Sequence, residues 1–143
     1  MIQEIAKRIL LIPGHAWVLG TNFFAGALPQ KTKTGQPVPS RVMVLLERVP
    51  ADLVADLPDY MDYSLQIWNR GADYFQARTD AYLIFEALHG DWWRDLPIIF
   101  AGKEYRAWTT DAKGSPTPIA APNDNGLYEF STNYLLRIAN LAA

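Results

Sequence analysis

The chain has 143 residues, half of them hydrophobic and 13% aromatic, which fits one domain with a sizeable core and excludes wholesale disorder. Its 13 Lys and Arg against 15 Asp and Glu leave a formal net charge of -2, without the basic excess of a protein that grips nucleic acid. The absence of cysteine excludes disulfides, thiol nucleophiles and Cys-based zinc sites, and it fits a reducing compartment. The N-terminus, MIQEIAKRILLIPG, mixes charges with a short apolar run, unlike a secretory signal. No apolar run approaches the ~20 residues that cross a bilayer, so a soluble intracellular state is expected.

Ile2, Ile5, Ile9 and Ile12 recur at helical spacing opposite Gln3, Glu4, Lys7 and Arg8, predicting a short amphipathic helix stopped by Pro13-Gly14. HAWVLGTNFFAGALP then predicts one or two short strands punctuated by Gly20 and Gly26. Residues 30–40, QKTKTGQPVPS, are polar and predict an exposed loop, long for so small a domain. RVMVLLERV, residues 41–49, has apolar residues on both faces, as a strand covered on both sides would. Between Pro50 and Pro58 the turn chemistry returns, and a short helical turn is expected there.

YSLQIWNR alternates, with Tyr63, Leu65 and Ile67 on one face, and predicts a half-buried strand. After Gly71, the residues Tyr74, Ala77, Ala81, Ile84, Phe85 and Leu88 mark one face of a helix ending at Gly90. Two short strands are expected around Gly102-Lys103, and GSPTPIAAPNDNG forms a second polar connection. LYEFSTNYLLRI closes the pattern as a strand with Tyr128, Phe130, Thr132, Tyr134, Leu136 and Ile138 on one face. The expected class is α+β: a mostly antiparallel sheet packed against a central helix, with a short N-terminal helix, in one domain over residues 1–143.

Little in this pattern is catalytic. His15 and His89 are far apart and in no ligand spacing, so a metal role is outweighed by surface or capping roles; His89, at a helix end, suits an imidazolium. Asp52, Asp56 and Asp59, like Asp91 and Asp95, read as solvated turn residues rather than acid–base pairs. Trp92, Trp93 and Arg94, or Tyr105, Arg106 and Trp108, could stack on bases, but packing or protein contact fits the balanced charge better. Gly71 joins a strand to a helix, as phosphate cradles do. It is followed by Ala72 and Asp73 with no further glycine or lysine, and Asp73 would repel an anion. Gly71 is therefore read as a structural hinge, with Asp73 favouring the helix dipole.

LGTNFFAGALP, YSLQIWNRGADYFQARTDAYLIFEALHG and GLYEFSTNYLLRI together resemble the tail terminator or minor capsid protein family of tailed bacteriophages. The matching positions are Gln66, Arg70, Ala77, Leu88, His89 and Gly90, then Glu129, Phe130, Ser131, Asn133 and Tyr134. The resemblance implies a virion protein of the phage neck, assembled in the host cytoplasm as a homo-oligomeric, hexameric ring. That ring caps the tail tube protein, ends its polymerisation and meets a head-completion or neck protein. DNA passes through its lumen without specific binding. The family has no enzymatic activity, cofactor, metal or membrane association. On this reading Lys31, Lys33 and Gln36 in the first loop, and Lys113 in the second, are candidate contacts to neighbouring subunits or the tube. Two alternatives stay open: a connector below the portal, and a nucleic-acid-binding or enzymatic module.

Overall fold

The structure is a computed structural model that describes residues 2–47, 52–54, 57–89, 98–100, 103–119, 122–123 and 125–140. For residues 52–54, 57–61, 98–100, 103–109 and 139–140 only the backbone is described. The protein has the expected α+β class. Helix α1 (Ile2–Ile9) is followed by β1 (Phe23–Ala25), β2 (Val42–Glu47), β3 (Asp52–Val54) and β4 (Leu57–Gly71). Helix α2 (Tyr74–Leu88) then precedes β5 (Ile98–Phe100), β6 (Lys103–Ala112), β7 (Thr117–Pro118) and β8 (Tyr128–Asn140). One sheet runs β1-β2-β4-β8-β6-β5, with β3 added to β4 and β7 to β8. Among the described strands only β1 and β2 pair parallel.

The backbone of the sheet is the antiparallel ladder of β4 and β8, continuous from Tyr60↔Ala139 to Gly71↔Tyr128. Alternation along both strands turns Tyr63, Leu65 and Ile67 with Tyr134, Leu136 and Ile138 to one face, where all are buried. Strand β2 is covered on both sides, as its composition predicts. Met43 and Leu45 join the main core, while Val42 and Val44 pack with Phe24, Val38 and Trp68 on the other face.

Both helices cover the main core. Eight residues are too few for a helix to persist alone, so α1 depends on burying Ile5, Ala6 and Ile9, which are fully enclosed. Each isoleucine contributes about 2 kcal/mol of transfer free energy. Helix α1 lies against β1, β2 and β5, strands from both ends of the sheet order. The chain then continues the core through Ile12 and Trp17, with a left-handed Gly14 between them.

The buried stripe of α2 comprises Ala77, Ala81, Ile84 and Leu88, and also Asp80. That carboxylate accepts two hydrogen bonds from Arg41, at 2.9 Å from Nε and 2.7 Å from Nη2. The guanidinium also stands 5.4 Å from the ring centre of Trp17. The hydrogen bond to Asp80 raises the Arg41 pKa further above its ordinary value. A second polar anchor is Asn69 of β4, fully buried, whose Nδ2 donates to the Ala77 carbonyl at 2.8 Å.

Four expectations change. The segment after Pro50 holds strand β3 rather than a helical turn. Leu53 pairs with Met61 and Val54 with Leu57, so Pro58 falls in the bulge, where its missing N–H costs no ladder bond. The second polar connection stays mostly irregular but holds the two-residue strand β7, which pairs with Ser131 and Phe130; on either side of it Lys113 donates its N–H to Asn133 and Ile119 donates to Glu129. Gly71 is not a glycine-requiring hinge. It is the last residue of β4, its φ is not left-handed, and an added Cβ would make ordinary 3.5 Å contact with Ala77. His89 caps α2, but its Nδ1 accepts the Ala112 N–H at 3.1 Å, which an imidazolium could not do. Gly90, Asp56, Asp91, Trp92, Trp93, Arg94 and Asp95 lie outside the described residues, as do the side chains of Asp52, Asp59, Tyr105, Arg106 and Trp108.

Replacing Asp80 by Ala leaves Arg41 unpaired against the core. Breaking a buried pair costs ~3–5 kcal/mol, and the 38% exposure of the Arg41 side chain puts this one at the lower end. Urea denaturation of Asp80→Ala should show that loss of stability; a change near zero would contradict the role given to the pair. A second expectation concerns alkali. Burial raises the pKa of Tyr63, reinforced by its hydrogen bond to Glu47, and burial also raises that of Tyr134. Above about pH 10, where unfolded tyrosines ionise, the native state binds more protons than the unfolded state. This contribution to stability is therefore intact below that pH and declines above it. In an alkaline absorbance titration, two of the seven tyrosines should ionise only as the circular dichroism of the fold is lost.

Candidate assembly surface

The first polar loop owes its length to topology. Strands β1 and β2 run parallel, so the chain must return the full length of β1 before re-entering the sheet. Gly26, left-handed at φ 98°, leaves β1 while its N–H still bonds to Leu45. The loop then closes on itself. Thr32, 7% exposed, donates its N–H to the Gln36 carbonyl at 2.8 Å and accepts from the Gly35 N–H at 3.0 Å. Arg70 holds its far end, donating to the carbonyls of Ser40 and Pro39 at 3.2 Å each. The loop is thus built within one chain rather than waiting for a partner to order it.

Lys31, Lys33 and Gln36 are brought together in this loop, and all three are exposed. Lys33 is tied by its N–H to the Gly20 carbonyl at 3.0 Å, and its aliphatic stem lies over Gly20. Lys113 is not part of this group. It is exposed at the end of β6, beside β8, and β2 and β4 separate it from β1. The four candidates therefore form two separate patches.

Beside the first loop lies a feature the sequence reading missed. An open groove of about 430 Å³ runs between α1 and β1, with Gln3 and Lys7 on one wall and Ala27 and Pro29 on the other. Phe23 and Phe24 of the edge strand β1 also line it; both are buried, with their side chains on opposite faces of the sheet. Its volume is in the ~300–1,000 Å³ range of sites that enclose a substantial ligand group. Leu28, exposed between Ala27 and Pro29, extends the apolar rim. No periodicity in the sequence marks such a groove, because its two walls come from segments that meet only in three dimensions.

The remaining sheet face carries half-buried polar residues of β4 paired across to β8. Gln66 donates to the Ser131 hydroxyl, Arg137 faces Asp62 at 3.7 Å, and Arg70 lies 5.8 Å from the Trp68 ring centre. The histidines have local tasks. His15 bridges the Leu10 carbonyl at 2.8 Å and the Trp17 N–H at 3.0 Å, fixing the exit from α1. His89 stacks on Phe85, with ring centres 5.5 Å apart. Among the described residues, three or more metal-ligating side chains nowhere converge, and no helix is long and apolar enough to cross a membrane.

Of the positions that carry the resemblance, the described ones lie on β4, α2 and β8, with His89 at the end of α2. Ala77 packs with Phe130, Leu88 and Tyr134 both belong to the main core, and Gln66 bonds to Ser131. Their work there is packing and pairing. In comparison with known protein families and with curated proteins, the chain matches none.

Gly20 is the position where the groove rim tolerates least. Its φ is 85°, and an added Cβ would lie 2.8 Å from Lys33 Cδ. Gly20→Val should destabilise by about 1–3 kcal/mol through backbone strain alone, read as a lowered thermal midpoint. Gly71→Ala is the control and should stay within about 1 kcal/mol of the parent.

Proposed function

We propose that the protein is a structural subunit of a tailed-phage neck, a tail terminator that forms a six-membered ring. The ring caps the tail tube, ends its polymerisation and presents the surface on which the head joins. The observation that carries this reading is the merging of the two resembling motifs into one packed unit of β4, α2 and β8. A motif that specifies a fold rather than a reaction is expected of a scaffold subunit. The distribution of surface chemistry supports it too: the first loop and the apolar groove beside it lie apart from the Lys113 patch at the end of β6. Ring formation needs such a pair of dissimilar patches, because each subunit must offer one surface and receive another. On this reading the protein holds no cofactor and catalyses nothing, and DNA crosses the ring lumen without being gripped.

Native mass spectrometry with negative-stain imaging of the purified protein should show a closed ring of six copies. In a phage lacking the gene, a terminator's loss leaves overlong tails detached from heads, whereas a connector's loss leaves tails of normal length and leaking heads. A protein that stays monomeric at high concentration and ignores tail tube would overturn both versions. Salt-sensitive binding to DNA would instead favour a nucleic-acid module, since phosphate contacts release counterions.

A further inference from the structure

The first turn of α2 presents a knob. Phe75 is 73% exposed, the most exposed of the large hydrophobic side chains described. It is held out from the surface by Tyr74, whose ring meets it edge-on at 5.4 Å. Tyr74 is itself seated on Tyr128 and Phe130, at 5.7 and 5.4 Å between ring centres. The knob is therefore fixed to a rigid base. Beside it Asp73, the exposed N-cap of α2, makes no side-chain capping hydrogen bond, so its carboxylate is free to face outward.

The groove between α1 and β1 is the chemical complement of this knob. It is lined by the edge strand β1 and by the apolar side chains of Leu19, Ala25, Ala27 and Pro29, with one exposed cation, Lys7, on its wall. Knob and groove lie on different parts of the sheet. The knob stands over β8, and β8 is separated from β1 by β4 and β2. One subunit therefore cannot satisfy its own groove, and a contact between the two patches is head-to-tail by construction.

We propose that the groove between α1 and β1 receives the first turn of α2 from a second copy of this chain, with Phe75 inserted and Asp73 facing Lys7. The proposal rests on the ring reading above and names the contact that would close it. Insertion removes an exposed aromatic side chain from water at the centre of the contact, where such anchors dominate binding. The Lys7–Asp73 pair at the rim adds orientation and partner choice more than strength.

The test uses the full chain. Because the protein has no cysteine, Lys7→Cys combined with Asp73→Cys should give an intermolecular disulfide ladder under mild oxidation, ending in a closed oligomer. Phe75→Ser and Ala27→Trp, the latter filling the groove, should each raise the subunit dissociation constant at least tenfold while circular dichroism is unchanged. Lys7→Glu and Asp73→Lys should each weaken assembly, and the double exchange should restore it. If the parent protein forms rings that Phe75→Ser and Ala27→Trp leave intact, this contact is overturned and the ring reading stands. If the parent protein never assembles, the ring reading fails and takes the contact with it. Uptake of a small aromatic probe in the groove with no effect on assembly would also overturn the contact.

Discussion

The paired hydrogen bonds between Arg41 and Asp80 are the constraint on which much of the rest depends. Arg41 stands at the entry to β2, Asp80 in the buried stripe of α2, and Trp17 in the segment leaving α1. Three pieces of chain far apart in sequence are thereby held in one place. The loop that ends at Arg41 and the helix that carries the knob meet at that node. A carboxylate on an otherwise apolar helix stripe would be costly if unpaired. Paired in this bidentate way, it gives direction to packing that apolar contacts alone would leave free to slide.

Much of the architecture was legible from local pattern. The alternation in β4 and β8 and the 3.6-residue stripe of α2 report their buried faces directly, because those faces meet a single large core. Asp80 was also within reach, since it lies three residues after Ala77 and beside Ala81 on the same stripe. Its partner was not, because nothing local links residue 41 to residue 80. The short strands β3 and β7 hid behind proline. Pro58 sits in a bulge, and Pro118 sits in a strand of two residues that β8 recruits from a polar connection. In both, pairing with a long neighbour overrides weak local propensity. The first loop was read correctly as exposed, but its length reflects the parallel return from β1 to β2, which is a topological fact. The groove and the separation of Lys113 from Lys31 and Lys33 are likewise properties of the assembled sheet.

Polar side chains tie the elements of the fold together: buried Asn69 to α2, and the half-buried His15 across the exit of α1 and Arg70 to the loop. Helix α1 lies against strands from both ends of the sheet order, which shields edges that would otherwise invite indiscriminate pairing.

The place of β8 in the sheet has a consequence for how the chain comes into being on the ribosome. β8 is the last strand described, yet it lies in the interior of the sheet, between β4 on one side and β6 and β7 on the other. Until Tyr128–Asn140 has emerged, β4 lacks its main partner and β6 has only the short β5 beside it. The interior therefore closes late, through contacts of long sequence separation, which is a slow route. During synthesis the nascent chain exposes the unpaired flank of β4 and the apolar stripe of α2, surfaces that chaperones hold and that aggregation exploits. A chain cut before this strand cannot close the interior of the sheet, so the position of one strand makes folding wait on it.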